Sequence, residues 1–185
     1  FVGHYIYTNG LVTVDEGAPL ILDGTLRGGW NASASTRVPC RIVKRGAGAL
    51  YLLKPGEWTG GTVLEGGSVI VGATDAFGTG PVTVAGDVTL TVALGAHLDT
   101  SRTRVVKTGD GTLELPAGIT AAYGELEIRQ GFVSVTAESS FGSGITTVAD
   151  GAGLRILTSF SQGGATITFD GTATPLPRKL GVLLK

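Results

Sequence analysis

One stretch of this chain occurs twice. Residues Ile42 to Val92 are matched by Val105 to Ile156, element for element. Lys44 answers Lys107, Gly46 answers Gly109, and Leu50 and Leu52 answer Leu113 and Leu115, each pair 63 positions apart. Gly67 and Gly131, Val69 and Val133, Val71 and Val135, Phe77 and Phe141, and Leu90 and Leu154 follow at 64. A period held this closely is the mark of a repeat architecture, in which each unit buries its apolar face only by stacking on the next.

Within the first copy the runs Ala49-Leu50-Tyr51-Leu52, Ser68-Val69-Ile70-Val71, Val82-Thr83-Val84 and Val88 to Val92 alternate apolar and polar. Alternation with period two means strands with one face buried. Glycine pairs and Asp-Gly steps (at Asp23, Asp110, Asp150 and Asp170) separate the runs, and glycine supplies the positive φ that tight corners need. The second copy continues with Leu113 to Leu115, Leu126 to Ile128, Phe132 to Val135 and Leu154 to Ile156. Further strands are expected near Ala165 to Phe169 and Lys179 to Leu184. Short helical turns are expected only within Asp99 to Val106 and Ala117 to Tyr123.

A period near 63 exceeds one coil of a solenoid but divides into about three coils of roughly 21 residues. The expectation is an all-β, parallel β-helix of about nine coils, with positions such as Leu52 and Val71 stacked in interior ladders. It forms one solenoid over residues 1–185, with repeats at 42–104 and 105–168 and a partial earlier copy at 1–41. The irregular connection Asp23 to Thr36 is expected as a loop on one side. The competing fold is an antiparallel β-sandwich or barrel, which also uses short strands at 8–12-residue spacing.

The order of elements resembles the autotransporter-associated β-strand repeat. It is carried by Lys44, Gly46, Gly48, Leu50, Leu52, Gly60, Gly61, Thr62, Gly67, Val69, Val71, Phe77, Gly78, Gly80, Val82, Thr83 and Val84. The second copy departs from it, with Tyr123-Gly124-Glu125 for the Gly-Gly-Thr element and Thr146 for Val82. The resemblance runs from Gly10 to Ile156. It implies a right-handed winding, a place in large exported bacterial proteins, and a scaffold without catalytic residues.

Chemistry is sparse. Net charge is −1 with no basic stripe, which argues against nucleic-acid binding. The single cysteine, Cys40, cannot form an internal disulfide, and no apolar run reaches the roughly 20 residues of a membrane span. Methionine is absent, so the chain reads as a processed product or a fragment. His4 and His97, the only histidines, lack metal-ligand spacing to other ligand types. No cofactor fingerprint occurs. The nucleophile-elbow pattern is missing, and Ser143 reads as a turn residue. Glu114, Glu125 and Glu127 are the carboxylates that could gather on an outer face, as in glycan-cleaving sites; a solvated strand face is the simpler reading.

Candidate partner contacts are Phe1, His4, Tyr5, Tyr7, Trp30 and Trp58, and a sugar-binding surface would draw on Trp30, Trp58, Tyr51 and Tyr123. These observations lead to a non-catalytic structural β-helix, secreted or at the bacterial cell surface, in a fibre, adhesin stalk or autotransporter passenger. Expected partners are other copies, stacked head to tail into filaments through the β-helix ends, and a glycan or cell-surface ligand. The alternatives are a β-helical carbohydrate-active enzyme or glycan-binding module, and a piece of a phage tail fibre.

Overall fold

The computed structural model describes residues 6–8, 11–14, 19–92, 100–115, 123–135, 144–156 and 166–169. The chain opens with β1 (Ile6–Thr8), β2 (Leu11–Val14) and β3 (Leu20–Leu22). The Asp23 to Thr36 connection holds β4 (Leu26–Gly28) and β5 (Trp30–Asn31), and β6 (Thr36–Arg37) closes it. From there strands come in pairs, one pair per coil. They are β7 (Arg41–Lys44) and β8 (Ala49–Leu52), then β9 (Thr62–Leu64) and β10 (Gly67–Val71), then β11 (Val82–Val84) and β12 (Val88–Val92). The second copy supplies β13 (Thr100–Lys107) and β14 (Thr112–Leu115), β15 (Tyr123–Ile128) and β16 (Phe132–Val135), and β17 (Ile145–Val148) and β18 (Gly153–Ile156). β19 (Thr166–Phe169) is the last strand among the described residues.

The first and second members of each pair stack separately, with β2 and β3 as the first such pair. An eight-stranded sheet runs β2-β7-β9-β11-β13-β15-β17-β19, and a seven-stranded sheet runs β3-β8-β10-β12-β14-β16-β18. Every pairing in both is parallel. That is a β-solenoid, and it removes the antiparallel sandwich: strands about 20 residues apart in sequence pair side by side, which a hairpin-built sandwich does not do. Among the described residues the sheets hold eight and seven rungs, against the nine coils expected. At about 4.8 Å per rung the eight-stranded stack spans about 34 Å.

The interior ladders follow from the alternation. In the seven-stranded sheet Leu50 pairs with Val69 and Val69 with Leu90, while Leu52 pairs with Val71. The second copy repeats the column as Leu113, Val133 and Leu154. Leu50, Leu52, Val69, Val71, Leu113 and Val133 are fully or almost fully buried. Across the core the eight-stranded sheet contributes Ile42, Thr62, Val82, Val105, Leu126 and Thr146 in one column, and Lys44, Leu64, Val84, Lys107, Ile128 and Val148 in the next. On its opposite face Val43 and Val63 pair, and Val106 follows one rung beyond Thr83; these valines are buried as well. The sheet is therefore covered on both sides there, as parallel sheets usually are.

Corners depend on glycine. Gly46 and Gly109, equivalent in the two copies, have φ of 63° and 75°, and Gly67 and Gly131 have 78° and 73°. A Cβ on Gly67 would stand 2.4 Å from the Gly46 carbonyl oxygen, and one on Gly131 the same distance from that of Gly109. Both space and backbone therefore exclude a side chain at these corners.

Three expectations need correction. The Asp23–Thr36 connection is more ordered than a loop: β4 pairs in parallel with β1, Arg27 forms a bridge with Glu57, and β5 and β6 form a small antiparallel hairpin closed at Ser35 (φ 51°). The expected helical turn at Asp99 to Val106 falls largely within β13, where Thr and Val favour a strand and neighbouring strands offer backbone partners. Trp58 is discussed below. The possible turn at 117–122 and the expected strand at Lys179 to Leu184 lie outside the described residues.

Candidate functional site

Two lysines stand inside the core. Lys44 and Lys107 occupy inward positions of β7 and β13, and both are 0% exposed. The Lys44 ammonium donates to the carbonyl oxygens of Arg45 (2.6 Å), Gly46 (2.7 Å) and Gly66 (3.1 Å). Lys107 donates to Thr108 (2.8 Å) and Gly109 (2.7 Å). Each lysine thus crosses its own corner and ties down carbonyls that the positive-φ glycine turns away from the ladder. A buried charge is tolerated only when hydrogen-bonded. Desolvation lowers the pKa of Lys107, opposed by the negative charges of Asp87 and Asp110. These lysines are clamps, and their amines are committed to backbone oxygens.

Outside the same corners lies a groove of about 680 Å³ across three rungs, lined by Glu65, Asp87 and Glu114 with Ser68, Thr89 and Thr112. Its carboxylates already have partners. Glu65 accepts from Arg45 Nε at 2.7 Å, Asp87 Oδ1 accepts from the Thr112 amide at 2.6 Å, and Glu114 accepts from the Thr89 hydroxyl at 3.5 Å. The groove offers hydroxyls and negative charge to a polar ligand. Among the described residues no group of three or more His, Cys, Asp or Glu is placed to hold a metal ion.

The three glutamates singled out by sequence do not meet. Glu114 belongs to the seven-stranded sheet, whereas Glu125 and Glu127 share the outer face of β15. Arg104 bridges the latter two, at 3.3 Å to Glu125 and through a short ion pair to Glu127, and Arg129 adds a 2.7 Å contact to Glu127. The hydrogen bond from Arg129, helped by the charge of Arg104, holds the Glu127 carboxyl below its usual range. A general acid needs the opposite shift. This arrangement is a charged staircase linking rungs, repeated by Arg45–Glu65 and Arg27–Glu57.

Trp58 is not a surface contact. Its indole is 1% exposed and donates from Nε1 to the Thr62 hydroxyl at 3.0 Å; that hydroxyl in turn donates to the Phe77 carbonyl at 3.4 Å. A large ring with a polar tip fills one corner and satisfies an interior threonine. In the second copy Leu126 takes the ladder position of Thr62, and by sequence the residue aligned with the tryptophan is alanine (Ala122).

Tyr7 lies in β1 and Trp30 in β5, at the hairpin. Phe1, His4 and Tyr5 fall outside the described residues, as do His97 and Ser143. Cys40 is wholly buried, and burial raises its thiol pKa, which keeps it protonated and unreactive. Among the described residues no helix is long and apolar enough to cross a membrane.

Sequence reasoning missed the lysine clamps as interior groups. The signal was present: Lys44 shares the parity of Ile42, and Lys107 that of Val105, on strands whose other inward positions are apolar. No family model, curated protein or solved structure matches this chain.

Proposed function

We propose that this chain is a non-catalytic stretch of a stalk in an exported bacterial surface protein, wound in the right-handed sense usual for parallel crossovers. The observation that carries this reading is the recurrence of the lysine clamp. Lys44 and Lys107 are the charged residues kept at equivalent inward positions of both copies, and both serve the scaffold. The outward charges of Arg104, Glu125, Glu127 and Arg129 are likewise engaged with one another across rungs. What recurs is thus a means of building a stiff stack without disulfides. The resemblance to the autotransporter-associated β-strand repeat supports the same reading, with the stalk as part of an autotransporter passenger or adhesin.

Immunogold labelling of thin sections of the source bacterium tests it. Label on the outer surface is expected; label confined to the cytoplasm overturns the proposal. Hydrolysis or cleavage of a polysaccharide by the purified protein, lost in Glu125→Gln or Glu127→Gln, would overturn the non-catalytic part. A second reading, a glycan-binding module, rests on the groove with its hydroxyls and carboxylates. A glycan array on the native protein and on Glu114→Gln separates it from the stalk.

A further inference from the structure

The two copies are not joined as their own coils are. In the seven-stranded sheet β12 runs in register with β10 over five residues, from Gly67 opposite Val88 to Val71 opposite Val92. Among the described residues it pairs with β14, on its other side, at only two: Val88 opposite Leu113 and Thr89 opposite Glu114. Inside the second copy β14 and β16 pair at four, and so do β16 and β18. The register also slips. Within the first copy Val69 sits opposite Leu90, yet Leu113, which repeats Leu50, sits opposite Val88. The eight-stranded sheet has no such step at this junction, where β11 pairs at three residues with β9 and at three with β13; its own register shift lies between Thr100 and Arg104, where β13 meets β15.

We propose that the step from β12 to β14 is a joint, at which the stack opens before either three-coil unit does, with β11–β13 as the hinge side. Three further observations agree. The groove opens at this place, on rungs β10, β12 and β14. The ion pair Arg45–Glu65 lies on the rungs of β7 and β9 and Arg104–Glu125–Glu127 links β13 to β15, and among the described residues no ion pair bridges the step from β12 to β14. Two side chains cross the step instead: Asp87, which accepts from the Thr112 amide, and Thr89, which donates weakly to Glu114. A solenoid's stability is close to a sum of unit terms and nearest-neighbour interface terms, so the poorest interface opens first. The joint stands on register and hydrogen bonding alone, and its failure would leave the stalk reading untouched.

Hydrogen exchange on the full chain, read by mass spectrometry, tests it. Peptides over Val88–Val92 and Thr112–Leu115 are expected to exchange at least tenfold faster than those over Ala49–Leu52 and Phe132–Val135. Asp87→Ala should raise the rate at Thr112 further, whereas Asp87→Asn, which keeps an acceptor oxygen, should not. A disulfide through Thr89→Cys and Glu114→Cys, on facing residues about 4.8 Å apart and so within bridging range, should slow the joint to the level of its neighbours. Equal protection across all four strands, or faster opening between β8 and β10, overturns the proposal. So does a disulfide that forms without slowing exchange. The wild-type comparison and the disulfide decide the matter even if Asp87→Ala does not fold.

Discussion

Lys44 and Lys107 are placed where a side chain is usually aliphatic, and their aliphatic stems do pack as such. Only the ammonium group distinguishes them from methionine in shape and burial. Lys44→Met should therefore keep the packing and leave the carbonyls of Arg45, Gly46 and Gly66 without that donor, a loss of about 2 kcal/mol. Lys107→Met, with two such bonds, should lose less. Urea midpoints at unchanged m-value measure both. Lys107 also predicts an alkaline signature. Its pKa is lower folded than unfolded, so between the two values the unfolded chain holds the extra proton. Its contribution to stability should rise as pH climbs from the lowered folded value toward about 10.4, the ordinary lysine pKa. Urea midpoints of the wild type against Lys107→Met across that range should show the rise only in the wild type.

At the scale of strands and corners, the glycines divide by what surrounds them. Gly151 has φ of 77°, but a Cβ there would meet nothing within 4 Å. Gly151→Ala should cost only the left-handed backbone penalty, about 1 kcal/mol. Gly131→Ala adds a collision with the Gly109 and Gly111 carbonyl oxygens, both 2.4 Å from the new atom. It should cost about 3 kcal/mol in the same measurement. Breaking the exposed staircase with Arg104→Ala should cost no more than about 0.5 kcal/mol. Much at this scale was legible in the sequence. Period-two runs located the strands, and equivalent glycines located corners of equal geometry. The hairpin at β5–β6 was not legible, because a two-residue strand carries no period. Neither was the fate of Trp58, since an aromatic outside an alternating run gives no parity to read.

For the whole molecule, the repeat foretold three coils per unit but not how units join. Register at the β12–β14 step depends on which of two equally apolar residues, Val88 or Leu90, faces Leu113, and both satisfy the same pattern. The function-bearing surface was hardest to read for a related reason. Outward residues are not bound to the period, so nothing in the repeat separates a contact from a solvated side chain. The ladder of Lys44, Leu64, Val84, Lys107, Ile128 and Val148 has one more consequence. Its two cations stand three rungs apart, about 14 Å. At an effective dielectric constant near 20, their repulsion is about 1.2 kcal/mol, against about 3.5 kcal/mol on adjacent rungs. A clamp at every coil would thus burden the column with mutual repulsion, whereas one in three keeps most of the anchoring. Spacing of like charge sets a lower limit on the length of the repeating unit. Ile128→Lys, one rung from Lys107, should accordingly destabilise the protein by about 2 kcal/mol more than Val148→Lys, two rungs away. Thermal or urea unfolding of the two variants reads that difference directly.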